Sequence, residues 1–302
     1  MINHFLDLNY YNKNELRKII TFAKKIKKNP KKYSSLLKHK SLGLFFGKQS
    51  TRTRLSFTIG MQNLGGNVVE LNPNQLGFGK RESNEDILKV MAQYLDALMI
   101  RNDNHQQLIK LASLNVLPII NGLSDYSHPC QILSDIFTIE ECFGKVENIT
   151  IAWMGDFNNV LTSLIHAAEI FEFHLNILVP KSLLNKKKDN LKKINLKYSN
   201  FYEEINLGVK NVDCIMTDAW ISMGEKNIKN KKKLLKKFQV NKDVMKLAKK
   251  NAIFMHCLPA HRNEEVSASV IDGYQSIVWQ QAENRIYVQQ SILYHLLNKQ
   301  KC

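Results

Sequence analysis

Between Phe46 and Phe57 the chain reads FGKQSTRTRLSF, and Ser50 to Arg54 place three hydroxyls and two guanidinium groups in five consecutive positions. The run follows an apolar stretch, Leu42, Leu44, Phe45 and Phe46, and opens a segment of helical character. The first turn of a helix carries unpaired backbone N–H groups and the positive end of the macrodipole, which favours an anion. Ser50, Thr51 and Thr53 add hydroxyl donors, and Arg52 and Arg54 add planar forks that match phosphate oxygens. The ordinary alternative is a helix capped by Ser50 with two surface arginines. The density of donors favours an oxyanion site. No Gly-x-x-x-x-Gly-Lys loop occurs in the sequence, so the pattern points to the phosphate of a small molecule rather than of a nucleotide chain.

Other polar clusters share this placement after an apolar run. Arg101 follows DALMI, and HPCQ (His128 to Gln131) follows VLPIINGLSDYS, with Pro129 in the first turn of a helix. WMGDFNN, TDAWISMG (Thr217 to Gly224) and HCLPAHR (His256 to Arg262) follow three more such runs. A lone histidine is more often structural than catalytic, but coincidence is a poor account of so many clusters placed alike. His256, Cys257 and His261 lie close together, yet their spacing matches no zinc pattern, and no metal is expected.

Positioning these clusters requires strands that end where each cluster begins. Strands are expected at 42–46, 67–71, 97–101, 116–120, 149–154, 174–179, 212–217 and 252–256. Helices are expected at about 13–27, 52–64, 84–95, 104–113, 130–143, 158–171, 241–249 and 282–298. In helix 52–64, Leu55, Ile59 and Leu64, with Phe57 and Met61, read as one broad buried face, and Gly65-Gly66 supplies a stop. Strand–helix–strand alternation implies α/β architecture: two doubly wound parallel sheets, with ligands at the carboxyl ends of the strands. A boundary is expected around 143–148, giving domains 1–143 and 144–281.

Composition narrows the function classes. The 302 residues, 44% hydrophobic, suffice for about two cored domains. A net charge of +16 raises the question of nucleic acid, but the lysine runs (186–188, 231–233) read as solvated faces without aromatic interleaving. Five scattered cysteines without Cys-x-x-Cys fit free thiols in a reducing compartment. The N-terminal stretch lacks a basic start followed by an apolar block, and no apolar run approaches the ~18 residues of a membrane span. The expectation is a cytoplasmic protein binding neither nucleic acid nor membrane. A dinucleotide-dependent oxidoreductase is disfavoured, because MGDFNN has one glycine where the Gly-x-Gly-x-x-Gly turn needs three.

In combination these motifs resemble the aspartate/ornithine carbamoyltransferase family. STRTR and HPCQ resemble its carbamoyl phosphate signatures, and DAWISMG and HCLP resemble its ornithine branch. The likeness runs from HFLDL near the start to AENR near the end. It implies a site in the cleft between two domains, a C-terminal helix (282–302) returning to the first domain, and no cofactor. Ser50, Thr51, Arg52 and Thr53 would hold the phosphate of carbamoyl phosphate. Arg101, His128 and Gln131 would hold the carbamoyl end, with the Leu258 carbonyl and Arg285 as further contacts. Asn159, Asp218, Ser222 and Met223 would hold L-ornithine, whose side-chain amine must be neutral to attack. Cys257, with Asp218, would face that amine, orienting it or taking its proton. The resemblance also implies a homotrimer whose sites are shared between subunits, with Gln75 in NPNQLGFGKRES reaching a neighbour's phosphate. The implied reaction yields L-citrulline and phosphate in arginine metabolism. Putrescine and acylated ornithine stand as alternative acceptors. Aspartate is less favoured, since HCLPA stands where that branch has a stretch like HPLPR.

Overall fold

The computed structural model describes residues 3–72, 82–187, 191–192, 194–221 and 228–298. The chain divides into two units, Met1–Phe137 with Glu283–Cys302, and Thr138–Ala282.

The first unit holds a parallel sheet of β1 (Ser41–Phe46), β2 (Asn67–Leu71), β3 (Ala97–Arg101) and β4 (Ile119–Leu123), in the order β2-β1-β3-β4. Around it run α1 (Lys13–Lys28), α2 (Thr51–Asn63), α3 (Asn84–Met91), α4 (His105–Ser113) and the start of α5 (Pro129–Phe143). A reciprocal capping box between Asn12 and Glu15 starts α1. Phe5 lies alongside β4, with its N–H on the Ile119 carbonyl and its own carbonyl receiving the Asn121 N–H, both at 2.8 Å. After β1 the chain steps outward to β2 and then crosses back to β3. The direction therefore reverses between β1 and β3, and the carboxyl ends of those strands are where such sheets bind ligands.

Those ends are tied together by backbone bonds. The Gly47 N–H donates to the Arg101 carbonyl (2.8 Å), and the Asn102 N–H to the Leu123 carbonyl (3.1 Å). Between β3 and β4 the register slips, with Ile100 opposite Asn121 and Arg101 opposite Leu123. The extra residue is Gly122, where a Cβ would meet the Met99 sulfur at 2.2 Å. Bulges of this kind redirect side chains beside sites.

The second unit holds β5 (Thr150–Met154), β6 (His174–Leu178), β7 (Ser199–Phe201), β8 (Cys214–Thr217) and β9 (Ile253–His256), in the order β7-β6-β5-β8-β9. Its helices after α5 are α6 (Asn159–Phe171), α7 (Lys181–Asn185), α8 (Ile205–Gly208), α9 (Ile228–Leu235), α10 (Lys242–Leu247) and α11 (Ala268–Ile271). Here the reversal falls between β5 and β8. The core gathers Ala152, Met154, Ile215, Phe238 and Phe254. The last helix, α12 (Val278–Leu297), begins in this unit and continues into the first. In the first unit Ser291 donates to the Ile19 carbonyl (2.7 Å) and Gln290 to the Gly60 carbonyl (3.2 Å).

Several sequence expectations are corrected. β4 lies at Ile119–Leu123, not 116–120, because the uninterrupted apolar run gives no phase and Pro118 has no N–H for a ladder. α3 stops at Met91 and closes in a turn, well short of 95. The largest correction concerns α2. Its buried face is Thr53, Ser56, Phe57, Gly60 and Met61, whereas Leu55 and Ile59 are 55% and 40% exposed. β7 and α9 were not expected. β7 is three residues long at the sheet edge, and α9 was hidden in a lysine run. That run is not simply solvated: Lys231 pairs with Asp156 (2.7 Å), both largely shielded, and Lys232 pairs with Glu264.

Candidate functional site

Ser50 occupies the N-cap position of α2 with extended backbone angles, and its hydroxyl makes no capping bond. The ordinary alternative for this stretch therefore fails at Ser50 and holds at Arg54. Arg54 lies over the Phe46 ring (4.9 Å) and pairs with Glu70 (3.1 Å), so it is a surface residue of the α2–β2 face. Thr53 faces inward and is buried, and its Oγ1 accepts a 2.9 Å bond from Arg285 Nη2 on α12. One turn of α2 is thereby joined to a cation from the other end of the chain.

His128 precedes α5 and is buried. Burial pushes its imidazole well below the ordinary value, and the neighbouring charges of Arg285, Arg101 and Arg52 push in the same direction. Three guanidinium groups from α12, the end of β3 and the first turn of α2 therefore converge on one neutral histidine. Gln131, one turn into α5, is buried and donates to Asp135 at 2.8 Å. Guanidinium groups gathered in this way offer an anion several charge-assisted donors, and the neutral ring can donate a hydrogen bond without adding charge. Cys130 beside it is a buried thiol held up to about 12, chiefly by desolvation.

In the second unit the reversal between β5 and β8 carries a different set. Gly155 leaves β5 at φ +134°, a backbone region that side chains resist, close to Thr217 and Trp220. The loop then brings Asn158 to the N-cap of α6, where its side-chain oxygen accepts from the N–H groups of Val160 and Leu161. Its amide nitrogen donates to Asp218 Oδ2 at 2.7 Å, and the Cys257 thiol donates to Asp218 Oδ1 at 3.0 Å. Both oxygens of Asp218 are thus engaged by neutral donors. Behind Cys257, His256 Nδ1 accepts the Leu258 N–H (2.8 Å), and Nε2 lies 3.3 Å from the buried carboxylate of Glu265. Asp218, His256 and Cys257 place one donor atom each within 4.8 Å of one another. The bonds just described occupy those donors.

Residues 3–141 match the model of the aspartate/ornithine carbamoyltransferase carbamoyl-P binding domain, and residues 147–296 match that of the Asp/Orn binding domain. The chain belongs to the aspartate/ornithine carbamoyltransferase family. Among its relatives, the ornithine carbamoyltransferase of Nitrobacter winogradskyi is 44% identical over 301 residues, spanning 96% of either chain. The structure of the Pyrococcus furiosus ornithine carbamoyltransferase matches with a TM-score of 0.88 at 38% identity, covering 96% of each chain. That of the anabolic ornithine carbamoyltransferase of Campylobacter jejuni matches with a TM-score of 0.88 at 33% identity, covering 99% of this chain and 100% of its own.

Within this family frame, Arg52, Thr53, Arg101, His128 and Arg285 share one locus in the first unit, and Asp218 and Cys257 share one in the second. Gln75, Ser222 and Met223 lie outside the described residues. Asn159 is the first residue of α6, while the side chain bonded to Asp218 is that of Asn158. Sequence reasoning missed Asn158, although an asparagine just before a helical pattern is an N-cap signal. It also missed Glu265, whose placement depends on β9 and its following loop, and no sequence spacing signals it.

Proposed function

We propose that this chain transfers the carbamoyl group of carbamoyl phosphate to the side-chain amine of L-ornithine, giving L-citrulline and phosphate. What carries the reading is the gathering of Arg52, Arg101 and Arg285 about the buried His128, with Arg285 bonded at 2.9 Å to Thr53 of the α2 turn. Ser50, Thr51, Arg52 and Thr53 bind the phosphate, and Arg285 reaches the same ligand from Thr53. Arg101, His128 and Gln131 take the carbamoyl end, with the Leu258 carbonyl receiving the carbamoyl N–H. In this role a neutral histidine donates to the carbonyl oxygen as negative charge develops there, while the arginines stabilise the departing phosphate. The neutral amine nitrogen attacks the carbonyl carbon, the bond from that carbon to the oxygen bridging to phosphorus breaks, phosphate leaves with the electron pair, and the proton lost by the nitrogen ends on the departing phosphate. Asn159, Asp218, Ser222 and Met223 bind ornithine. Ornithine's cationic α-amino group is suited to displace the neutral donors on Asp218, and Cys257 then faces the reacting amine.

The names of the relatives support ornithine as acceptor, and the anabolic Campylobacter relative supports service in arginine synthesis. Purified protein given carbamoyl phosphate and equal concentrations of ornithine, putrescine, acylated ornithine or aspartate is expected to form product fastest with ornithine. A faster reaction with any other acceptor overturns the assignment.

We propose further that the chain works as a homotrimer in the cytoplasm, with Gln75 of one subunit serving its neighbour. Leu55, Ile59 and Val69, 55%, 40% and 44% exposed on α2 and the edge strand β2, supply an apolar surface for a second copy. No described helix is long and apolar enough to cross a membrane. Light scattering should give three times the chain mass of 34.9 kDa, and a monomer at working concentration would refute the assembly.

A further inference from the structure

His105 is a buried histidine with no part in the chemistry above, and it touches three consecutive residues of the loop that leads to His128. Its backbone N–H donates to Asp125 Oδ1 (2.9 Å), its Nδ1 lies 2.8 Å from Ser124 Oγ, and its ring packs on Tyr126 with centroids 5.0 Å apart. Ser124 is the centre of that loop. Its backbone N–H donates to the Ser127 carbonyl (3.0 Å), and its hydroxyl accepts from the Ser127 N–H (3.2 Å). Asn121 closes the network with an amide bond to Ser127 Oγ (3.1 Å) and another to the Leu6 carbonyl (2.9 Å). On its other side, His105 starts α4 four residues after Arg101. The intervening segment is pinned by Asn102, whose N–H reaches the Leu123 carbonyl (3.1 Å) and whose side chain donates to Gln107 (2.8 Å).

We propose that His105 is a positioning residue that fixes the loop carrying His128 against the strand end carrying Arg101, and so sets the two donors at the carbamoyl end of the substrate. Its ring and backbone bond to adjacent loop residues, which leaves that loop little freedom to turn. Its contacts to Ser124, Asp125 and Tyr126 all fall on the loop that leads to His128, so its influence is expected chiefly on the carbamoyl half of the ligand. This rests on the carbamoyl phosphate reading given above.

The test uses two ligands on the full chain, carbamoyl phosphate and inorganic phosphate, with binding measured by calorimetry. Inorganic phosphate lacks the carbamoyl group and so reports the phosphate half of the ligand by itself. His105→Ala removes the ring bond and the stacking while keeping the backbone bond to Asp125. It is expected to weaken carbamoyl phosphate about tenfold while phosphate changes by less than about twofold, the loss expected for one hydrogen bond in a positioning network. Ser124→Ala, reaching the same loop from the other partner, is expected to show the same selective loss. His105→Gln, which keeps an amide donor and acceptor, is expected to recover most of it. Equal weakening of both ligands in both alanine variants, or no weakening of either, overturns the proposal. A wild-type protein that fails to bind carbamoyl phosphate would instead overturn the function itself, so the two failures are distinguishable.

Discussion

The two side-chain clusters, one in each unit, face opposite electrostatic problems. In the first unit, Arg52, Arg101 and Arg285 crowd a histidine that they and burial keep neutral. In the second, a carboxylate has both oxygens engaged by neutral donors, the amide of Asn158 and the thiol of Cys257. The first presents three cationic forks about one neutral ring, a donor set suited to an anion. The second holds its carboxylate in bonds made within its own unit.

The sharpest way to break this contrast is to exchange the damage between the halves. Arg52→Ala removes one of the converging cations and is expected to weaken carbamoyl phosphate binding about a thousandfold, the upper range for truncating a charge that meets a charged partner in a shielded site. Binding unchanged in that variant would remove Arg52 from the phosphate. Asp218→Asn is expected to raise the KM for ornithine about a hundredfold, within the range for removing the charge that meets a cationic group in a shielded site. Carbamoyl phosphate affinity measured by calorimetry should stay within about twofold in that variant, since Asp218 belongs to the other half-site. If Asp218→Asn weakens carbamoyl phosphate as much as Arg52→Ala does, the division into two independent half-sites is wrong.

The halves also differed in how far the sequence disclosed them. The first half-site was largely legible, because its donors stand in one dense run after an apolar strand and in HPCQ before a helix. Hidden was the bond from Arg285 to Thr53, which joins residues 232 apart and depends on α12 returning to α2. In the second half-site the decisive choice was between adjacent asparagines. Local capping turns Asn158 toward the carboxylate, a placement that its N-cap position before a helical pattern could have suggested. The α2 face failed for a different reason. Its sequence carries two apolar stripes, Leu55 with Ile59 and Phe57 with Met61 and Leu64, and periodicity cannot tell which stripe meets the chain's own core. The strand at 116–120 slipped because a run apolar at every position has no phase.

The smallest expected effect is thermodynamic and belongs to the first half-site alone. His128 in the folded chain is held well below its ordinary value, by burial first and then by Arg285, Arg101 and Arg52. The unfolded chain titrates near about 6.5, so below that pH the unfolded state binds a proton that the folded state refuses. Stability from this group is therefore present above about 6.5 and is lost as the pH falls, at a rate approaching about 1.4 kcal/mol per pH unit. Carboxylates titrate in the same region, so the informative quantity is the difference in slope between wild type and His128→Asn in urea unfolding from pH 7 to pH 5. The variant should lose less stability per unit than the wild type. Equal slopes would mean that His128 accepts its proton as readily folded as unfolded. The three arginines would then leave it unperturbed, and the charge contrast between the half-sites would lose its physical basis.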